Sequence, residues 1–380
     1  MLDLIDEWGP EKVVVVSDRR TGMRGVLVID NTARGMGKGG SRMSPSVSVD
    51  EVARLARTMT WKWAASGLFH GGAKAGIAAD PRGTDKEAIL RAFARALSNE
   101  VPAEYVFGLD MGLTENDAAI LADEIGSRAG AVGLPRALGG LPYDELGITG
   151  FGVAEATDAA AASIGLELKG ATVAIQGFGA VGVAAARRLD ELGATIFAVA
   201  TANGTVTSED GLDVERLVEL REHCGDDLVS AYDGAGVRYD DDATQVLRSD
   251  VDVLIPAARE DVVHEDIAAT TSARLIVEGA NLPTTPAARN ILHDRGVTVV
   301  PDFIANAGGI VAAAYSMDAR HSPFVVDPAK VFKSVSTTMR DNTTTVLAES
   351  KSRHITPHEA AWALAQERVR AAMQVRGQVR

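Results

Sequence analysis

The sequence predicts an α/β protein of two domains: an N-terminal α/β domain and a Rossmann-type doubly wound domain, followed by a C-terminal helical tail. Three observations lead there. The 380 residues exceed what one compact core holds. The β-branched run ATVAIQ (171–176) enters a glycine-rich turn, GFGAVG, and an alanine-rich helix. Short apolar strands then alternate with helical stretches, the pattern of a parallel sheet covered on both faces.

The elements follow in order. VVVVSD (13–18) and GVLVID (25–30) are β-branched strands joined by RRTGMR, which predicts a hairpin. SVDEVARLARTMTWKWAAS has helical spacing, with Val52, Leu55, Met59 and Trp63 on one face and Lys62 beside it. KEAILRAFARAL is a second helix. A third starts at the N-cap Thr114, with Glu115 and Asp117 in its first turn. Residues 131–147 are rich in Gly and Pro and read as a linker. A helix over 151–164 leads to ATVAIQ, and ATIFAVA, VDVLIPA, RLIVEGA and GVTVVPD are the later strands. In the tail, Asp327 and Pro328 mark a helix start, and Thr356 with Glu359 forms a capping box. The expected domains are residues 1–145, 146–320 and 321–380, the last as helices packing back toward the first domain.

Composition narrows the function. The net charge of −14 disfavours a nucleic-acid partner, which needs clustered cations. Cys224 is the only cysteine, so no disulfide forms within the chain, which fits a reducing cytoplasm. The acidic start MLDLIDEWGPEK lacks a signal-peptide pattern, and no apolar run reaches the ~18–20 residues of a membrane span.

The turn Gly177, Phe178, Gly179, Ala180, Val181, Gly182 fits G-x-G-x-x-G between a strand and a helix. Gly177 permits the turn, Gly179 admits a pyrophosphate, and Gly182 lets helix and strand approach. The following helix offers N–H groups and a partial positive charge. Thr201, nineteen positions after Gly182, ends the next strand, where the adenosine ribose binds in such folds. A neutral residue there leaves NAD and NADP both open, and the lack of an adjacent arginine favours NAD.

Three lysines stand in glycine-rich or apolar surroundings: Lys38 in GKGGSRM, Lys62 in MTWKWAAS and Lys74 in HGGAKAGI. Solvated surface lysines are the bland reading. Together with LDMG, TGFGV, AIQGFGAVG, VLIPAA, EGANLPTTP and PDFIANAGG, in that order, these stretches resemble the glutamate/leucine/phenylalanine/valine dehydrogenase family over nearly the whole chain.

The resemblance implies NAD(P)-dependent oxidative deamination of an L-amino acid to a 2-oxo acid and ammonia, by a homo-oligomer whose two domains close over a cleft. Carried over by position, Lys62 holds the substrate α-carboxylate. Lys74 activates water, Asp110 shuttles protons at the amino nitrogen, and the Gly71–Gly72 backbone shapes the site. Met59 also lines the substrate. Thr149, Ala257, Ala258, Asn281 and Asn306 surround the cofactor. Desolvation and a second cation both lower a lysine pKa, so Lys62 is expected to tune Lys74. Asp110 stands in a loop four residues before the cap Thr114, outside any capping role.

Lys38 matches the lysine that pairs with the side-chain carboxylate in the glutamate branch. Ala313 stands where that branch has a serine, and the methionine of GGSRM is similar to leucine-type members. Glutamate is the first expectation, and an aliphatic or aromatic amino acid the alternative. A nucleotide-binding regulator without catalysis is a further alternative, against which Lys62, Lys74 and Asp110 all stand. A Schiff-base lysine enzyme explains less, because it needs no dinucleotide fold. His70, Trp61 and Trp63 read as packing residues at least as well as cleft residues. His354 and His358 have no sequence neighbour that completes a metal site.

Overall fold

The computed structural model describes residues 2–143 and 145–379. They form two compact units. Unit 1 comprises Met1–Pro142, Ile310–Val331 and Leu364–Arg380, and unit 2 comprises Tyr143–Gly309 and Phe332–Ala363.

Unit 1 begins with β1 (Lys12–Asp18) and β2 (Met23–Asn31), the hairpin the sequence predicts. β3 (Gly37–Lys38) and β4 (Ser41–Met43) precede helix α1 (Val49–Ala65) and strand β5 (Gly71–Ile77). Helix α2 (Lys86–Ala96), strand β6 (Tyr105–Val106) and helix α3 (Glu115–Ile125) follow. The sheet order is β1-β2-β5-β3-β6, with β4 paired to β5. β2 is buried on both faces. Leu27 and Ile29 join Phe93 and Phe107 in one core, while Val26 and Val28 meet Val52, Ala53 and Ala56 in another.

The alternation of β5 explains its glycines. Ala73, Ala75 and Ile77 enter the larger core. Gly72, Lys74 and Gly76 therefore take the opposite face. A Cβ on Gly72 would lie 2.1 Å from Thr60 Oγ1, and one on Gly76 would lie 2.6 Å from Val52 Cγ2. Helix α1 thus rides directly on the strand, and Lys74 is the one long side chain between two glycines. This contact also shifts the buried stripe of α1. Val52, Ala53, Ala56, Thr60, Trp61 and Trp63 are buried, whereas Leu55 and Met59, expected at its centre, are only half-buried. Close approach selects small residues over large ones. Thr114 caps α3 through a capping box with Asp117.

The expected linker over 131–147 is packed chain over most of its length. Ala131 bridges to Phe107, and Val132, Leu134 and Leu141 are buried in unit 1, so the break falls after Pro142. Its glycines serve tight turns rather than flexibility: a Cβ on Gly140 would lie 1.5 Å from Leu134 O.

Unit 2 opens with α4 (Ile148–Ser163), which starts three residues earlier than expected, after Gly147 in a left-handed conformation. Then come β7 (Thr172–Gln176), α5 (Ala180–Glu191), β8 (Thr195–Thr201), β9 (Gly204–Ser208) and α6 (Val214–Cys224). Next are α7 (Leu228–Ala231), β10 (Val237–Asp240), β11 (Val253–Pro256), α8 (Glu265–Thr270) and β12 (Leu275–Val277). Helix α9 (Pro286–Asp294), strand β13 (Thr298–Val300) and helix α10 (Asp302–Ala305) follow. The sheet order is β10-β9-β8-β7-β11-β12-β13. β8, β7, β11, β12 and β13 run parallel, as expected. β9 and β10 are antiparallel additions, because the short turn Ala202–Asn203 after β8 makes a hairpin instead of a crossover.

Helices α11 (Gly308–Ala319), α12 (Pro328–Arg353) and α13 (Pro357–Val375) complete the chain. Asp327 Oδ1 accepts from the Ala329 N–H at the start of α12, and Thr356 and Glu359 form the expected reciprocal cap of α13. In unit 2, Glu155 of α4 is fully buried and accepts from Arg188, Arg340 and Ser336, tying α5 and α12 to α4.

Candidate active site

In unit 1, Lys74 Nζ meets Asp110 Oδ1 at 3.0 Å, across 36 positions of sequence. β5 delivers the lysine. The loop between β6 and α3 delivers the aspartate, and Gly40 makes room for it, since a Cβ there would lie 2.9 Å from Asp110 Cβ; a Cβ on Gly39 would lie 1.7 Å from Ala73 O of β5. Met59 Cγ lies beside the same Gly39.

Arg42, which sequence reasoning passed over, completes the arrangement. Its Nε donates to Asp110 Oδ2 at 2.8 Å, and its Nη1 donates to Glu51 Oε1 at 2.8 Å. One carboxylate is thus held by a cation on each oxygen. Burial alone would raise the Asp110 carboxyl, but Lys74 and Arg42 together hold it below its usual range. Burial lowers the Lys74 ammonium, Arg42 adds repulsion, and Asp110 only partly offsets them. The cation expected to tune Lys74 was Lys62. Arg42 is a cation that acts on Lys74, because β4 runs parallel to β5 and puts residue 42 opposite Gly76. Lys62 is half-buried in the last turn of α1. The arrangement offers a desolvated amine with a lowered proton affinity and a carboxylate fixed in its anionic form, the two groups that proton transfer near neutral pH requires.

Lys38 is buried on β3. Its Nζ donates to Gly39 O at 3.1 Å and Val106 O at 3.2 Å, and among the described residues no carboxylate pairs with it. Burial, then Arg320 and Lys74, push it down to about 7. Arg320, a second residue absent from the sequence reading, donates to Met317 O and Ala129 O. Met317, whose carbonyl Arg320 engages, packs with Val106, Val132 and Met36, and the Arg320 charge is one of the two that disfavour the Lys38 ammonium. Nothing in the local sequence marks Arg320. Ala313 is half-buried in α11.

Gly72 is crowded by α1, which gives its missing side chain a packing reason. Trp61 and Trp63 are buried; Trp63 stacks edge-on with His70 and donates to Lys38 O.

In unit 2, the cofactor candidates gather at the carboxyl ends of the parallel strands. Gly177 has φ +94°, and a Cβ there would lie 2.8 Å from Ala258. A Cβ on Gly182 would lie 2.0 Å from Gly177 O, whereas nothing lies within 4 Å of one on Gly179. Gly179 therefore faces open space at the start of α5, with Ala180 and Val181 in its first turn, and this cradle fits a pyrophosphate. Phe178 is buried and offers only its backbone outward. The Ala257 N–H donates to Gln176 O beside the turn. Asn306 Nδ2 donates to Asn281 Oδ1 at 3.0 Å, and Thr149 Oγ1 lies beside Gly309. Thr201 ends β8, but its hydroxyl already donates to Asp226 O at 2.6 Å and accepts from the Asn203 N–H.

His358 has acidic neighbours that come from remote parts of the chain. It lies with Glu278 and Asp302 in a fully buried group whose ligand-type atoms fall within 4.8 Å. They stand 80 and 56 positions away in sequence, beyond any spacing rule. Glu278 Oε2 bonds His358 Nε2 at 3.0 Å and accepts the Asp302 N–H. Asp302 Oδ2 in turn accepts the Leu282 N–H. These bonds make the group a structural relay that holds the loop bearing Asn281. His354 lies apart and exposed.

Among the described residues no helix is long and apolar enough to cross a membrane.

Residues 139–377 match the family described as Glutamate/Leucine/Phenylalanine/Valine dehydrogenase, and residues 10–127 match the Glu/Leu/Phe/Val dehydrogenase, dimerisation domain. A glutamate dehydrogenase of Thermotoga maritima is 35% identical, covering 93% of this chain and 86% of the relative. An NADP(+)-dependent glutamate dehydrogenase of Pyrobaculum calidifontis is likewise 35% identical, covering 93% and 86%. An NAD-specific glutamate dehydrogenase A of Halobacterium salinarum is 34% identical, covering 91% and 80%. The hetero-hexameric glutamate dehydrogenase of Thermus thermophilus, solved in a Leu-bound form, superposes with a TM-score of 0.83 at 31% identity, covering 97% and 90%. With both parts of the family matched in order, and with the lysine–aspartate pair and the glycine turn built as described, the chain belongs to the glutamate/leucine/phenylalanine/valine dehydrogenase family.

Proposed function

We propose that the protein oxidatively deaminates L-glutamate to its 2-oxo acid and ammonia, reversibly, with NAD as the favoured cofactor, as a homo-oligomer in the cytoplasm. The observation that carries the chemistry is the buried Lys74–Asp110 pair with Arg42 on its far oxygen. A dinucleotide held by the Gly177–Gly182 turn would supply the hydride acceptor for the substrate Cα. Lys62 holds the α-carboxylate. Lys74, as a neutral amine, takes a proton from the water that attacks the imino carbon. Asp110 carries protons to and from the departing nitrogen.

Glutamate is favoured because Lys38 is a buried amine that no carboxylate among the described residues pairs with, and an incoming carboxylate would restore its charged form against burial and Arg320. A buried charge is stable only when paired and hydrogen-bonded, so an anionic substrate side chain completes the site. The oligomer reading rests on the match of residues 10–127 to a domain described by dimerisation.

The test is a steady-state panel of L-glutamate, leucine, valine, phenylalanine and tryptophan with NAD and with NADP, followed by nicotinamide absorbance. Glutamate should give the highest kcat/KM. A preference for an apolar amino acid would overturn the substrate, and absence of turnover with every pair would overturn the reaction.

A further inference from the structure

The end of β8 carries no acidic residue, yet the fold brings acids to it from elsewhere. In dinucleotide folds the adenosine ribose lies at the end of the strand after the fingerprint helix, and an acid there disfavours a 2′-phosphate. Here that position is Thr201, whose hydroxyl is committed to Asp226 O and the Asn203 N–H. The next side chain outward, Asn203, donates to Asp227 Oδ1 at 2.7 Å. Asp226 and Asp227 follow α6, more than twenty residues downstream. On the other side, a Cβ on Gly204 would lie 2.3 Å from Asp240 O and 3.2 Å from Asp241 Cα, and Tyr239 donates to Asn203 O. The turn 201–204 is thus flanked by four aspartates in sequence runs that are remote from it.

Three arginines line a cavity of about 540 Å³ together with Gly179 and Ala180 of the fingerprint. Arg187 is paired with Glu215 and Arg188 with Glu155 and Glu191, which leaves Arg221, near the end of α6, as the one that bonds the acid beside Thr201. Its guanidinium is engaged by the Asp226 carboxylate. The residue best suited to take a phosphate is therefore neutralised by the acid whose backbone also fixes Thr201.

We propose that Asp226 and Asp227 select the dinucleotide without a 2′-phosphate: both oppose the added dianion, and Asp226 withholds Arg221 from it. This rests on the reading that a dinucleotide binds at Gly177–Gly182. The selection is electrostatic and supplied by another element, which is why it has no signature at the strand end.

The experiment is calorimetric titration of the full-length protein with NADH, with NADPH and with adenosine 2′,5′-bisphosphate as a probe of the phosphate alone. The proteins are the parent, Asp226→Asn, Asp227→Asn, and Asp226→Asn combined with Arg221→Met. Asparagine keeps the size and the hydrogen-bonding oxygen, so the turn is preserved. The parent should bind NADH at least about tenfold tighter than NADPH, and Asp226→Asn should tighten NADPH and the bisphosphate about tenfold while NADH stays within about twofold, the scale of one charge pair at a surface site. Asp227→Asn should narrow the gap by a smaller factor. Added salt should erase part of each gain, and Arg221→Met should remove the gain of Asp226→Asn. Equal shifts for both dinucleotides, or no shift, would overturn the selector. A parent that prefers NADPH would overturn it too while leaving the dinucleotide site intact. A parent that binds neither dinucleotide would instead bring down the underlying reading.

Discussion

Replacing Arg42 by methionine should move the pH profile of the enzyme toward higher pH. The guanidinium sits on Asp110 Oδ2 at 2.8 Å, and Lys74 sits on Oδ1 at 3.0 Å. Two cations on the two oxygens of one carboxylate lie about 6 Å apart, where an effective dielectric constant of about 20 gives a repulsion of about 3 kcal/mol. Arg42 is 21% exposed, so solvent screening reduces this to about 1.4 kcal/mol, or about one pKa unit. The sign is fixed. Removing a neighbouring positive charge favours the protonated form of Lys74, so its pKa rises. The same change raises that of Asp110. In the deamination direction Lys74 must be neutral, so the acid limb of kcat/KM should shift up by about one unit, with about a tenfold loss at a fixed pH below the limb. Arg42→Lys keeps the charge and should hold the limb within a few tenths of a unit. A limb that stays in place, or moves down, in Arg42→Met would refute this account of how the lysine is tuned. Equal shifts in both variants would show that guanidinium geometry, rather than charge, matters.

Three further outcomes follow from the structure. Lys74→Ala should lower turnover by about a thousandfold through loss of general-base chemistry, while calorimetry shows dinucleotide affinity unchanged; near-normal turnover would exclude its catalytic role. Gly72→Ala should cost about 3 kcal/mol or more, since its Cβ would meet Thr60 N at 2.3 Å and Ala56 O at 2.4 Å, both backbone atoms that cannot yield. A denaturant midpoint matching the parent would show that α1 can lift off β5. Leu282 is exposed with φ +52° on the loop that carries Asn281. Leu282→Gly should therefore stabilise unit 2 by about 0.5–1 kcal/mol, raising its thermal midpoint by a few degrees, and a lower midpoint would mean the leucine side chain makes a contact worth more than its strain.

The sequence by itself determined the local structure and singled out the lysine and the aspartate that the fold pairs. The caps at Thr114 and Thr356, the hairpin after Asp18 and the strand–glycine turn–helix at 171–191 depend on neighbours a few residues away, and such contacts are written in adjacent letters. Lys74 and Asp110 were legible for another reason: each sits in a motif whose order along the chain is itself the signal. Tertiary structure decided which charges meet. Arg42 reaches Asp110 beside Lys74 because of strand pairing, Arg320 acts on Lys38 from 282 positions away, and Asp226 holds Arg221 at the end of β8. Packing likewise overruled most of the apparent linker at 131–147 and the apparent apolar face of α1. The physical reason is range. Hydrogen-bonded turns are fixed by bonds between near neighbours. The proton affinity of a buried amine depends on desolvation and on charges several ångströms away, whose sequence positions are set only when the sheet is assembled.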